Sequence, residues 1–107
     1  MRIISFSVMW EKLNQPEFTT FRFPRKDNDW YVGEQVQVYY KNRSPHRKRI
    51  GVAEIIKKVQ KYASSDKEAV EDGFNDLRDM ENWMIKTYGE EKTWQPMNKL
   101  TLKWVDQ

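Results

Sequence analysis

Thr20 and Arg22 stand two residues apart in Thr20-Phe21-Arg22. On an extended chain successive side chains point to opposite faces, so these two share a face about two residues' rise apart. A hydroxyl beside a guanidinium is a pair suited to a phosphate or to the polar edge of a base. The plainer reading is an exposed Thr–Arg pair on a sheet surface. A second candidate is the run Lys41-Asn42-Arg43-Ser44-Pro45-His46-Arg47-Lys48-Arg49, which holds five Lys/Arg and no acid. Clustered cations in a loop are a common means of phosphate contact, and Tyr39 or Tyr40 beside them offers a ring for base stacking. A hairpin loop kept in solution by charge would need fewer of them, which tilts the run toward phosphate. Glu68, Glu71 and Asp72 form the third set. Paired carboxylates can do acid–base work, but acids around a helix break serve equally as helix-end charges. His46 is the single histidine and cysteine is absent. That excludes a thiol nucleophile, a disulfide and any two-His metal motif, so no metal and no cofactor are expected. No glycine-rich phosphate loop or nucleophile elbow is present.

These side chains need elements to hold them. Ile4, Phe6 and Val8 alternate with Ser5 and Ser7 as in a strand. Met9 to Leu13 fits one helical turn before Pro16. Phe18 to Phe23 is rich in strand formers, with Phe21 and Phe23 on one face and Thr20 and Arg22 on the other. Pro24 to Asp29 reads as a loop, and Gly33-Glu34 as a turn into the strand Gln35 to Tyr40. Lys41 to Lys48 reads as a loop. The spacing from Ile50 to Tyr62 is ambiguous between helix and strand; Gly51 and the β-branched content favour a long bent strand. Ser65 or Asp66 caps a short helix that Asp72-Gly73 breaks, and Asn75 is placed to cap a second. In that second helix Leu77, Met80, Trp83, Met84 and Tyr88 recur at helical spacing, and Gly89 stops it. Lys57, Lys58 and Lys61 read as a solvated strand face, and Leu100 to Trp104 as the closing strand. The sum is about five strands and two helices: an α+β fold, a small mixed β-barrel or curved sheet with helices at one side. Its core is expected to gather Val36, Val38, Ile50, Val52, Ile55, Leu100 and Leu102, with Leu77, Met80 and Met84 packed over it.

A chain of 107 residues has room for one domain, spanning 1–107. Charged residues reach 33%, yet aromatics reach 14%, which disordered chains lack. Large rings inside a charged skin are the expected packing, with Trp10, Trp30, Trp83 and Trp104 at the core or rim. No run approaches the ~18 apolar residues of a membrane span, and Met1 to Trp10 lacks the pattern of a signal peptide. A soluble, cytoplasmic, monomeric domain with no membrane partner is expected. The formal charge of +3 hides an asymmetry, because residues 1–62 carry 13 Lys/Arg against 6 Asp/Glu and residues 63–107 carry 6 against 10. A basic half suggests a face for a polyanion.

The order of these pieces resembles the ASCH domain family of the PUA-like superfamily. The resemblance is carried by Ser7 with Trp10, Phe18-Thr19-Thr20-Phe21-Arg22, Trp30 to Val36, Gly51-Val52-Ala53-Glu54-Ile55, Asp72-Gly73-Phe74, the helix ending in Trp83 and Tyr88, and the strand Leu100 to Trp104. It covers nearly the whole chain. The resemblance implies a small PUA-like barrel with a cleft lined by the Thr-x-Arg strand, and RNA or a nucleotide as partner. Thr20, Arg22, Tyr39, Lys41, Arg43, Arg47, Lys48 and Arg49 would be the binding residues, with Tyr39 or Trp30 stacking on a base. Some relatives are amidohydrolases that deacetylate N4-acetylcytidine, and certain members are credited with ribonuclease activity. The amidohydrolases work with a Lys, a Thr and a Glu. Thr20 matches the Thr, and Asp72 stands at or near the Glu, with Glu71 beside it. Glu17 stands where the Lys would be and Asp72 is one methylene shorter than the Glu, so negligible deacetylation is expected; Lys12 in the preceding turn is the lysine nearest the cleft in sequence. A non-enzymatic adaptor for a protein partner is the third reading.

Overall fold

Strand-forming residues and three register shifts in the sheet account for most of the architecture. The computed structural model describes residues 1–6, 10–61, 65–93 and 96–106. Its elements are β1 (Ile3–Phe6), a 3-10 helix (Glu11–Asn14), β2 (Glu17–Arg22), β3 (Gln35–Tyr40), β4 (Lys48–Lys61), α1 (Asp66–Glu71), α2 (Leu77–Tyr88), α3 (Glu90–Thr93) and β5 (Met97–Asp106). The strands form one mixed sheet in the order β1-β3-β4-β5-β2, with β1 parallel to β3 and every other pair antiparallel. The 14-residue β4 carries register shifts at Val52/Ala53 and Ile55/Lys57 against β5. Such bulges bend and twist a strand, and here the sheet curls into a half-barrel. The two edge strands approach across the open side, where Phe6 of β1 and Phe18 of β2 meet edge to face at 6.1 Å.

The ambiguous stretch after Ile50 is a strand, beginning two residues earlier within the basic run. The expectations for Ser7, Val8 and Tyr62 lie outside the described residues. Among the described residues, no helix is long and apolar enough to cross a membrane.

The apolar residues divide into two clusters where the sequence reading placed one. Inside the curl lie Ile4, Phe6, Phe18, Val36, Val38, Ile55, Leu100 and Leu102, with Ile50 and Trp104 at the margin. On the outer face of β2 and β5, Phe21 and Met97 pack with Ala69, Phe74, Met80 and Met84 of the helical segment. The reason is strand alternation. Phe18, Thr20 and Arg22 face inward and Phe21 outward, so α2 covers the back of the sheet rather than the barrel interior. Val52, next to a bulge, is buried but belongs to neither cluster. Trp10 touches both clusters.

The helix ends follow local chemistry. Ser65 caps α1 by accepting from the Glu68 N–H. Asp76, not Asn75, caps α2: its carboxylate accepts from the Asp79 N–H at 2.7 Å, while Asp79 accepts from the Asn75 N–H. The reciprocal arrangement resembles a capping box and satisfies two end donors. The chain from Pro24 to Val32 is tied down by Asp29. Its carboxylate accepts from Lys58 Nζ, Asn98 Nδ2 and the N–H groups of Arg25 and Trp30. Lys58 therefore is not a solvated strand residue, and neither is Lys61, which pairs with Glu68 at 2.9 Å.

Candidate functional site

A cavity of about 590 Å³ opens at the seam between β1 and β2. Thr20 and Arg22 of β2 point into it, which excludes the exposed-pair reading; Thr20 is only 3% exposed. Arg22 spans the seam. Its Nε donates to Thr20 Oγ1 at 3.2 Å, its Nη2 donates to the Ser5 carbonyl at 3.0 Å, and its guanidinium lies 4.8 Å from the centre of the Phe6 ring. Burial pulls the Arg22 pKa down, opposed by Tyr88 and Asp72. Aromatic walls come from Trp10, Phe74, Trp83 and Tyr88.

Lys12 and Asp72 arrive from separate elements and meet in the wall. The 3-10 helix ends at Asn14, because Gln15 before Pro16 is held extended. Its short turn buries both Leu13 and Lys12. Lys12 Nζ donates to Asp72 Oδ1 at 3.0 Å and to the Thr19 carbonyl at 2.8 Å, and sits 5.1 Å from the Phe6 ring centre. A lysine from the turn before β2 thus borders the cavity that Thr20 lines. Glu17 is exposed and lines no part of this cavity.

Asp72 is the C-cap of α1. A carboxylate is disfavoured at a helix C-terminus, so helix-end stabilisation does not explain it; the buried ion pair with Lys12 does. Glu68 is also more than a helix-end charge, since it pairs with Lys61 and Lys99. At Gly73 the backbone takes φ +108°, and a Cβ there would meet Trp10 Cε3 at 3.0 Å. This turn lets the chain reverse while the Trp10 indole packs against it. Burial is the leading influence on both members of the ion pair. It pushes the Asp72 carboxyl up and the Lys12 ammonium down, while each partner's charge opposes the shift.

The basic run is split by its own geometry. The Lys41 N–H donates to the Phe6 carbonyl and the Asn42 N–H to Ser5 Oγ, pinning this corner to the end of β1. Lys41 and Arg43, together with Arg25, therefore stand exposed at the cavity mouth. Arg47, Lys48 and Arg49 are exposed outside the cavity lining, with Arg47 5.7 Å from the centre of the Tyr39 ring. Tyr39 does not join Thr20. Trp30 is buried, with Arg2 at 4.4 Å and Arg25 at 5.4 Å from its ring centre, so its faces are taken. Trp10, Phe74, Trp83 and Tyr88 border the cavity and pack on one another.

Sequence reasoning missed the role of Arg25, and reached Lys12 only as a possibility. The one signal for Lys12 was its place in a turn shortened by Pro16, beside an apolar residue that must be buried. Arg25 carried no signal, since its position depends on the Asp29 anchor. No protein family, curated protein or solved structure matches the chain.

Proposed function

We propose that this chain is an ASCH-type domain that binds RNA or a nucleotide fragment, taking one nucleoside unit into the seam cavity. The observation that carries the reading is an aromatic-walled space of about 590 Å³ with Thr20 and Arg22 inside it and Arg25, Lys41 and Arg43 around it. That volume lies in the range of pockets that enclose small ligands. Thr20 and Asp72 present hydrogen-bonding groups to a base edge or ribose, the aromatic wall packs against the base, and the cations around the cavity face phosphate. Tryptophan emission reports occupancy directly. Titration with short single-stranded RNA and with nucleosides is expected to quench it saturably, and Thr20→Ala is expected to weaken binding. Absence of any change with either ligand overturns the reading.

The Lys12–Asp72 pair favours a second reading, an amidohydrolase acting on an acylated nucleoside. The expectation against this activity rested on a missing lysine and on Asp72 being one methylene shorter than the Glu, and Lys12 bears on the first ground alone. In such a reaction water adds across the acyl C–N bond. The hydroxyl joins the carbonyl carbon, the leaving nitrogen takes a proton, and acetate and cytidine separate. Thr20 would attack or orient, with Asp72 and Lys12 moving the proton. Incubation with N4-acetylcytidine, followed by chromatography for cytidine, decides between the readings. Turnover that falls ~10²-fold or more in Thr20→Ala and Lys12→Met supports the hydrolase; binding without turnover leaves the binding domain.

A further inference from the structure

Among the described residues Arg22 forms no ion pair. Two of its five N–H groups are used, on Thr20 Oγ1 and the Ser5 carbonyl, and both acceptors are neutral. Among the described residues no carboxylate lies within 4 Å of it, and the nearby Asp72 is engaged by Lys12. Among the described residues, three N–H groups of this guanidinium in the cavity wall have no protein acceptor. Around the same cavity stand five cations, Lys12, Arg22, Arg25, Lys41 and Arg43, against the single carboxylate of Asp72. Arg22 is half-buried beside the cavity, and a guanidinium fork matches phosphate oxygens in pairs. We infer that the seam cavity is an anion site in which Arg22 holds the phosphate monoester of a nucleotide, free or at an RNA end. A neutral nucleoside would leave Arg22 unpaired. Depth favours a monoester over a chain-internal phosphodiester, because Arg22 lies inside the seam whereas Lys41 and Arg43 stand at its mouth. This inference rests on the nucleotide reading above for the base, but not for the charged group.

The test follows tryptophan emission at fixed ionic strength with cytidine, cytidine 5′-monophosphate, cytidine 3′-monophosphate, a dinucleotide with only an internal phosphodiester, and inorganic phosphate. A monophosphate is expected to bind about tenfold or more tightly than cytidine, the worth of a hydrogen-bonded charge. The internal diester should gain less. The advantage should grow between about pH 5 and 7 as the monoester takes its second charge near pKa 6. Arg22→Gln should collapse the monophosphate-to-nucleoside ratio toward one. The ratio and its pH trend are read on the unaltered protein, so a variant that fails to fold leaves the decision intact. Equal binding of nucleoside and monophosphates overturns the anion site and leaves nucleoside binding standing. A ratio lost in Lys41→Ala/Arg43→Ala but kept in Arg22→Gln moves the anion to the mouth and overturns the assignment. Inorganic phosphate binding that depends on Arg22, with no response to cytidine and no gain from attaching it to phosphate, supports the anion site while ending the nucleotide reading. Silence with every ligand overturns both.

Discussion

Lys12 and Asp72 are 6% and 8% exposed at the side chain and 3.0 Å apart, so neither can lose its partner cheaply. Leaving one buried charge unpaired typically costs about 3–5 kcal/mol. Asp72→Leu or Lys12→Met should therefore lower stability by that order in denaturant unfolding, whereas Lys12→Met/Asp72→Leu together should cost clearly less than the sum. An additive pair would mean the contact carries little coupling. Asp29 behaves differently. Burial pushes its carboxyl up, but donors from Lys58, the Arg25 N–H, Asn98 and the Trp30 N–H outweigh this and hold it well below the ordinary 3.8. Its folded pKa is depressed, so its stabilisation is complete above the unfolded value and fades as pH falls below about 4. Asp29→Asn should lose of order 1 kcal/mol at pH 7 and show a flatter decline in melting temperature toward acid. An unchanged acid limb would contradict the anchor.

The junction between α1 and α2 decides the shape of the cavity wall, and two substitutions probe it. Asp76→Ala should cost about 1 kcal/mol through the lost cap, while Asn75→Ala should be near neutral, because only its backbone N–H is used. Urea unfolding separates the two assignments. Gly73→Ala combines a left-handed backbone with a Cβ pressed on the Trp10 ring. It should cost about 1–3 kcal/mol and shift tryptophan emission, since the indole must move away from the turn. At Gly33, φ is +95° but no atom lies within 4 Å of the added Cβ. Gly33→Ala should then show strain without a change in emission. Equal spectra for the two variants would show that Trp10 does not rest on the turn.

Charge is distributed so that different substitutions should affect different ligands. Arg25, Lys41 and Arg43 surround the cavity mouth, while Arg47, Lys48 and Arg49 lie beyond it. Binding of single-stranded RNA should weaken steeply with salt, because each phosphate contact releases counterions. Arg47→Ala/Lys48→Ala/Arg49→Ala should flatten that salt slope and weaken long RNA alike for all sequences. The same variant should leave a mononucleotide titration nearly unchanged. If long RNA binds the triple variant as before, the outer cations are merely a solvated turn.

Much of the half-barrel was legible from periodicity and chain chemistry. Alternation in Phe18 to Arg22 and Leu100 to Trp104 marked strands and put Thr20 and Arg22 on one face. Helical spacing from Leu77 to Tyr88, closed by Gly89, marked α2. These are local properties, set by the backbone period and by which residues tolerate a turn. Whether that Thr–Arg face met solvent or a cavity was not local. It depended on the curl of β4, on β1 arriving opposite β2, and on the Ser5 carbonyl lying within reach of Arg22. The division of the apolar residues into two clusters likewise followed from which side of the sheet α2 covers. Lys12 and Asp72 are 60 residues apart, and a lysine or an aspartate read alone looks like a solvated charge. Only tertiary packing brings them together, because burial, pairing and a shared cavity are relations between distant segments and leave no period in the chain.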